Sequence, residues 1–482
     1  MGKGEDAPTQ REDSEGSEDS PTRRRDTRVL AVCCFSVFMV GIDVTAVNVA
    51  LPDLHRSLGS DIAGLQWTID SYTVVLASML ILSGSLADRL GRKRILLLGL
   101  AIFTVASLLC SLAPSVGPLI AFRALQALGA SMLTPVAMSI IANTVTSARR
   151  RAHAIGYWNA VYGISMALGP VVGGLAVSAI SWRAIFWINI PVGAVAMLLT
   201  VAYIPESKST HPRRLDPIGQ LLVAALLASL IFAIIEAPGQ GWTSPLILGT
   251  FALAAFSFVA LIVFETRHRE PLIEIGLFRS THLSAGVTIA IAAFACFGGF
   301  LFLNTLYLQQ VRGLSALHAG LATLPMAAAT VVVSPVSGRL VGRFGPRLPV
   351  IVAGVCLTGA SALLIDLSAT TPFGLVLLSY VILGIGFGAV NPPITEIAVS
   401  GMPRGRAGVA AAISTTSRQV GQALGVAVVG AAVATSATGS FAADSHAGWR
   451  ILTLTGVVVF ALGFVAAGRT RAVPPDRAAL DR

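Results

Sequence analysis

A nine-residue stretch, Ser83-Gly84-Ser85-Leu86-Ala87-Asp88-Arg89-Leu90-Gly91, occurs twice in this sequence. The second copy, Ser337-Gly338-Arg339-Leu340-Val341-Gly342-Arg343-Phe344-Gly345, begins 254 residues later and keeps five of the nine residues. Both copies lie between long apolar segments. A parallel repeat of this length predicts two halves of the chain with the same internal order of helices.

The composition around the repeat is that of a membrane protein. The 482 residues are 54% apolar and only 12% charged, whereas soluble domains contain about 25% charged residues. Charge-poor segments of roughly 20 residues recur along the chain, and this length is enough for a helix to cross a bilayer. We therefore predict an all-α polytopic membrane protein.

The apolar segments divide the chain into fourteen predicted spans. Six lie at about 29–51, 65–87, 95–112, 118–142, 154–179 and 184–204, two at 217–236 and 245–265, and six more begin near 283, 317, 348, 373, 407 and 450. Spans seven and eight interrupt the repeat and are interpreted as an insertion outside the substrate path. The predicted organisation is a disordered cytoplasmic tail 1–28, a six-helix half 29–204, a basic cytoplasmic linker 205–216, inserted helices 217–265, a cytoplasmic linker 266–282, a second six-helix half 283–467 and a cytoplasmic tail 468–482.

The basic residues predict the orientation of these spans in the membrane. One side, which includes both termini, holds 28 lysines and arginines, and the other side holds four. Basic residues in short loops stay in the cytoplasm, so both termini are predicted to be cytoplasmic and the number of spans to be even.

Several other protein classes are disfavoured. The basic residues lie in short loops, which favours a lipid bilayer over nucleic acid as the partner. None of the three lysines belongs to a G-x-x-x-x-G-K-[ST] loop, and the histidines and cysteines lack metal-ligand spacing. We expect no enzyme activity, no ATP, metal or cofactor, and a proton gradient as the energy source.

The segment GSLADRLGRKR, which starts at Gly84, resembles the loop signature of the major facilitator superfamily. Gly84 permits close helix approach and Gly91 a tight turn. Asp88, beside the basic residues Arg89 and Arg92, can form charge pairs that hold the cytoplasmic face closed in one conformer. A basic loop with only a topological role is the alternative.

Further motifs resemble those of the fourteen-span drug/proton antiporters over residues 29–467. In chain order they are DVTAVNVALP from Asp43 to Pro52, Arg123 with Gln126, GPVVGG from Gly169 to Gly174, and Trp182-Arg183 to Asn189-Ile190-Pro191. The resemblance implies a major facilitator fold in a bacterial inner membrane, working as a monomer. This sequence departs from the family patterns at Ala127, Ser165 and Gly342, and Gly342 replaces the acid of the second loop copy.

The span-five motif combines small residues with a proline. Gly169 and Gly173 share one helical face, with Pro170 and Gly174 beside them, and suit a bent helix packed closely on a neighbour. The resemblance associates this motif with the exchange direction of transport. Ordinary small-residue packing is the alternative, and the two roles are compatible.

Three ionisable residues inside spans are the main functional candidates, because charges in a bilayer are costly. Asp43 and Arg123 are expected to pair, which would offset the desolvation of both and leave a carboxylate whose proton affinity changes when the pair opens. Asp70 is expected to share their outer-half cavity. The alternatives are a fixed ion pair for Asp43 and Arg123 and a solvated interfacial acid for Asp70.

Other polar residues are candidates for lining the substrate cavity. They are Asn48, Tyr72, Gln126, Asn304, Tyr307, Gln309 and Arg418. For Asn304, Tyr307 and Gln309 interfacial anchoring is the alternative, and for Arg418 it is helix packing.

The sequence therefore predicts a proton-coupled exporter of small amphipathic compounds, aromatic or cationic, that confers drug or antibiotic resistance by alternating access. A proton-coupled transporter of one dedicated metabolite is a second hypothesis, and the breadth of the substrate profile separates the two. A non-transporting sensor or a channel is a hypothesis of a different class, disfavoured by Asp43 and by the repeated loop motif.

Overall fold

The computed structural model describes residues 20–145, 147–209, 215–268, 274–400, 407–436 and 440–465, and all regular elements in these ranges are helices. The first eight are α1 (Ser20–Leu58), α2 (Ile62–Leu90), α3 (Arg92–Ser111), α4 (Val116–Thr144), α5 (Ala148–Ala179), α6 (Ala184–Tyr203), α7 (Pro217–Gln240) and α8 (Pro245–Arg267). The others are α9 (Thr281–Leu306), α10 (Ala316–Ala322), α11 (Leu324–Phe344), α12 (Arg347–Ala362), α13 (Phe373–Val399), α14 (Ala407–Ser436) and α15 (Phe441–Val465).

These helices agree with the fourteen predicted spans. Within the described ranges, thirteen helical segments are long and apolar enough to cross a bilayer, with α10 and α11 counted as one segment. The break between them precedes Pro325, which lies in the first turn of α11 and has no N–H to continue a helix. The fourteenth segment, α12, is apolar but has only 16 residues.

The first helix begins earlier than the sequence prediction. Helix α1 begins at Ser20, so residues 20–28 of the predicted disordered tail are helical. Residues 1–19 and the tail predicted at 468–482 lie outside the described residues. The 266–282 linker contains a short 3₁₀ turn, Ile275–Arg279.

The last helix also begins earlier than predicted, at Phe441 instead of near 450. Its first two turns contain polar side chains that the protein interior accommodates. Ser445 is fully buried, and His446 Nε2 lies 3.1 Å from the Leu367 carbonyl oxygen. Because these polar residues have partners inside the protein, the helix can begin with them. A hydropathy pattern does not indicate a membrane helix there, since it registers only that the residues are polar.

The two halves pack their helices in the same way. In the N-terminal half α1 packs on α5, α2 on α4 and α3 on α6, and in the C-terminal half α9 packs on α14, α11 on α13 and α12 on α15. The repeated serines occupy equivalent places. Ser83 Oγ lies 2.8 Å from Ser131 Oγ on α4, and Ser337 Oγ donates to the Ala389 carbonyl on α13 at 2.7 Å. Pro393 leaves that carbonyl without a helical donor.

The inserted pair contacts both halves through α7, which packs against α2 and α14, while α8 packs on α7. Trp67 Nε1 donates to Glu236 Oε1 at 2.8 Å, and Gln220 Nε2 donates to the Ser78 carbonyl. Helix α7 is therefore attached to α2. The terminal acids of this pair lie in protein surroundings, because Glu236 accepts this bond and Glu265 is only 2% exposed.

The two halves contact each other on one side of the membrane, the side that the charge asymmetry predicts to be the outer one. Within the described ranges, every hydrogen bond between the halves lies there; these bonds join Gln66 to Val426 and Ala427, Gln309 to Val49, and Leu317 to Ser178. On the cytoplasmic side, no neighbouring atom lies within 4 Å of where a Cβ would stand at Gly84 or Gly338. This conformation is inward-facing.

Candidate functional site

A buried charge pair links α1 to α4 inside the N-terminal half. Arg123 Nη1 lies 2.7 Å from Asp43 Oδ2, and the two side chains are 2% and 0% exposed. Burial this complete is tolerable only because each charge has its partner and further hydrogen bonds. The predicted contact between these residues is therefore present; its role in proton coupling stays a prediction.

Two amide side chains complete the environment of Asp43. Gln126 Nε2 and Asn189 Nδ2 each donate to Asp43 Oδ1 at 2.9 Å. Gln126 also accepts from Arg123 Nη1 at 2.6 Å and donates to Ser107 Oγ at 2.8 Å. Three donors converging on one carboxylate suit its anionic form.

The Arg123 guanidinium is held on several sides. Its Nε donates to the Thr68 carbonyl at 3.2 Å, and its Cζ lies 4.3 Å from the Tyr72 ring centroid and 5.8 Å from that of Phe186. Tyr72 is thus part of the buried network and does not line an open cavity in this conformation. Asn48 is also buried and donates within its own helix.

Asp70 does not join this network, contrary to the sequence expectation. Tyr72 faces Arg123, and Asp70 lies two residues away, about 200° round the helix. Asp70 lies one turn after Gln66 and one turn before Val74, and Val74 packs with α7 and α14. Asp70 is therefore on the face of α2 that carries these two residues, away from Arg123.

Burial also distinguishes Asp70 from a surface acid. The residue is 0% exposed, and neither carboxylate oxygen has a hydrogen-bond partner in the described part of the chain. The alternative of a solvated interfacial acid is therefore wrong for this conformation. A carboxylate anion would be costly in such surroundings.

The predicted gating loop lies between α2 and α3. Asp88 Oδ1 is 2.7 Å from Arg92 Nη2, so its charge pair is formed within the loop. Gly91 has φ +115°, which fits the predicted tight turn. The close helix approach predicted at Gly84 is absent here, and Arg89 is exposed.

The linker after α6 fastens this loop, which the sequence did not reveal. The Lys93 backbone N–H donates to Glu206 Oε1 at 3.2 Å, and Arg94 Nε lies 3.5 Å from Glu206 Oε2. The Arg92 N–H donates to the Ser207 carbonyl at 2.9 Å. The loop is thus bonded to its own half, and the described part of the chain gives it no bond across the cytoplasmic face.

Helix α5 uses its glycines for close packing. A Cβ at Gly169 would lie 1.9 Å from Thr45 Oγ1, and one at Gly173 would lie 2.8 Å from the Ala46 carbonyl oxygen. Gly174 faces α10 of the other half, where a Cβ would lie 2.5 Å from a backbone carbonyl oxygen. The motif therefore supports both the packing of α5 on α1 and the outer contact between halves.

Pro170 explains why α1 supplies a hydroxyl to α5. Proline has no N–H, so the Met166 carbonyl lacks its helical donor, and Thr45 Oγ1 lies 3.0 Å from that oxygen. Nearby, Ser165 replaces a glycine of the family pattern. The space for it comes from Gly41 on α1, where a Cβ would lie 1.8 Å from Ser165 Oγ.

Three predicted cavity residues of the C-terminal half are engaged in packing. Asn304 accepts a hydrogen bond from the Tyr380 hydroxyl, and Tyr307 donates to the Ser368 carbonyl at 2.9 Å. Gln309 Nε2 donates to a carbonyl of α1 at 2.8 Å. These side chains stabilise the outer region and do not line an open cavity here.

Arg418 has neutral partners on α13. Its Nη2 donates to Thr395 Oγ1 at 2.8 Å and to the Asn391 carbonyl at 3.2 Å. Glu396, the next residue along α13 after Thr395, is exposed.

The sequence matches the family model described as Major Facilitator Superfamily over residues 33–426. The chain belongs to the major facilitator superfamily. This assignment agrees with the observed helix order, the two equivalent halves and the loop at Asp88.

Named relatives of this major facilitator protein include resistance and export proteins. Multidrug resistance protein Stp of Mycobacterium tuberculosis (strain CDC 1551 / Oshkosh) is 37% identical over 83% of this chain and 74% of its own length. The tetracenomycin C resistance and export protein of Streptomyces glaucescens is 36% identical over 86% of this chain and 77% of its own. The methylenomycin A resistance protein of Streptomyces coelicolor is 34% identical over 92% of each chain.

Solved transporters share the fold. The nucleoside transporter NupG superposes with a TM-score of 0.63 at 15% identity, covering 92% of this chain and 99% of that one. A peptide transporter POT gives 0.66 at 18% identity, covering 91% and 93%. The major facilitator chain is thus a multi-pass membrane transporter by family and by fold.

Proposed function

We propose that the protein is a proton-driven exporter of amphipathic, drug-like compounds that works by alternating access in a bacterial inner membrane, as a monomer. The names of its relatives support the choice of drugs and antibiotics as substrates. The observation that carries the coupling is the buried network of Asp43 with Arg123, Gln126 and Asn189.

The network relates proton binding to conformation. In the inward-facing state Asp43 is held by three donors from α4 and α6. A shift of α1 relative to these helices within the N-terminal half separates the carboxylate from Arg123, and a proton then replaces the lost positive charge. Release of that proton to the cytoplasm restores the pair and resets the cycle.

Asp70 is the second candidate for carrying a proton. It has no donor or counter-charge within the described ranges, and a neutral acid is the form that such a site accommodates. Asp43 and Asp70 therefore differ, because three hydrogen-bond donors surround Asp43, whereas Asp70 has no donor in the described ranges.

One proton is sufficient for useful accumulation. At a membrane potential of ~150 mV, one inward charge supplies about 3.5 kcal/mol. That free energy supports a gradient of an uncharged compound of a few hundred-fold.

The test uses inside-out vesicles with an imposed pH gradient and a panel of fluorescent drugs. Asp43→Asn keeps the side-chain size and should abolish gradient-driven uptake while leaving insertion and drug binding intact. The matched control is Asp53→Asn on the same helix, at the outer surface beside Arg56, which should transport normally. Wild-type gradient-driven transport by Asp43→Asn would exclude Asp43 from coupling.

A further inference from the structure

The C-terminal half presents a cation without an acidic partner. Arg123 is paired with Asp43, but no carboxylate of the described residues lies within 4 Å of the Arg418 guanidinium. Arg418 bonds only to the neutral groups of Asn391 and Thr395, and its buried Nε has no acceptor in the described ranges. A ligand cannot reach the buried Nε in this conformation, but Nη1 makes only one hydrogen bond in the described ranges and keeps an N–H for an anion.

Aromatic rings lie beside this cation. The Arg418 Cζ is 5.5 Å from the Phe294 ring centroid, and Phe294 meets the Phe387 ring edge-on at 5.1 Å. Phe297 stacks on Phe387 with centroids 4.0 Å apart and planes inclined by 10°. Phe294 and Phe387 are 8% and 6% exposed, so in this conformation a flat apolar molecule reaches only their exposed edges.

The site faces the other half of the molecule. Tyr162 on α5 lies within electrostatic range of Arg418 and stacks on Trp158, with ring centroids 6.5 Å apart. Arg418 is only partly buried and lies near the middle of α14. Arg418 therefore lies on the side of α14 that faces α5 of the N-terminal half.

We propose that Arg418 binds the acidic group of an aromatic, anionic substrate whose ring lies against Phe294 and Phe387. The proposal rests on the exporter function above and specifies its substrate class. A cation would be repelled by Arg418, and the paired Asp43 offers it no free charge. The proposal narrows the sequence prediction of aromatic or cationic compounds to aromatic anions.

The proposal has an electrical consequence. Export of a monoanion in exchange for one proton moves two positive charges inward per cycle, whereas export of a neutral compound moves one. The membrane potential therefore drives anion export twice as strongly for the same proton.

Binding to the purified full-length protein tests the proposal by calorimetry. The probes share one ring system: 2-naphthoate, 2-naphthamide and 2-naphthylmethylammonium. We expect the wild-type protein to prefer 2-naphthoate by about 10- to 100-fold, the range expected for charged hydrogen bonds. Arg418→Gln should abolish the preference and Arg418→Lys should retain part of it, because the charge remains without the fork.

The matched control is Arg312→Gln on the outer side, where Arg312 donates to two loop carbonyls at 2.8 Å. It should bind all three probes as the wild type does. No detectable 2-naphthoate binding, equal affinities for the three probes, or an equal loss for all three in Arg418→Gln would overturn the proposal. The exporter function is judged separately by pH-driven drug transport, which does not depend on this preference.

Discussion

The outer contact between the halves should set the balance between inward-facing and outward-facing states, and Gln66 is a buried member of this contact. Its side-chain amide donates to the Val426 carbonyl at 3.1 Å and to the Ala427 carbonyl at 2.8 Å. The amide also fills the space beside Gly430, where a Cβ would lie 2.3 Å from Gln66 Cδ. Gln66→Ala removes both bonds in the inward-facing state only.

The expected shift follows from the two bonds. Each contributes a net ~0.5–1.5 kcal/mol, so their loss disfavours the inward-facing state by about 1–3 kcal/mol. This corresponds to a roughly 5- to 150-fold change in the ratio of the two states. The carbonyls keep their own helical donors, so the substitution leaves no orphaned backbone group.

Pulsed electron paramagnetic resonance measures this ratio. Spin labels on cysteines that replace the exposed Arg89 and Arg343, in a background without the native cysteines, report the cytoplasmic separation of the halves. Gln66→Ala should increase the population with the shorter distance, and Gly430→Ala should do the same from the opposite helix. Gln310→Ala, which alters an exposed outer glutamine, is the control. Unchanged distances in both contact variants would refute the reasoning.

Three further predictions address other parts of the molecule. Asp88→Ala should slow transport more than it weakens substrate binding, because the Arg92 pair holds the loop in one conformer; weakened binding at an unchanged rate would contradict this role. Gly173→Leu should lower the free energy of unfolding by ~1–3 kcal/mol through overpacking against Ala46, and an unchanged thermal unfolding curve would show that α1 can yield. Cysteines placed along α7 and α8 should react with a small thiol reagent equally with and without substrate, and strong protection would bring this pair into the substrate path.

Much of the site's composition was visible in the sequence. Asp43, Arg123 and Gln126 are polar residues in apolar spans, and all three lie in the buried network. Asn189 carries the same signal in span six, where it belongs to the motif from Trp182-Arg183 to Asn189-Ile190-Pro191. The contact of Glu206 with the loop could not be recognised from the sequence, because acidic residues are common in polar linkers.

The sequence by itself determined the spans, their orientation and the repeat, because a bilayer penalises every exposed backbone group and every unneeded charge. These penalties act on each segment separately, so each span can be recognised from the residues of that segment alone. Only the tertiary structure decided that Asp43 collects three donors, that Asp70 faces away from them and that α7 contacts both halves. Such contacts depend on how each helix is rotated about its axis against partners far away in the chain, and a rotation of half a turn exchanges one face for the other without changing the mean hydropathy of the segment.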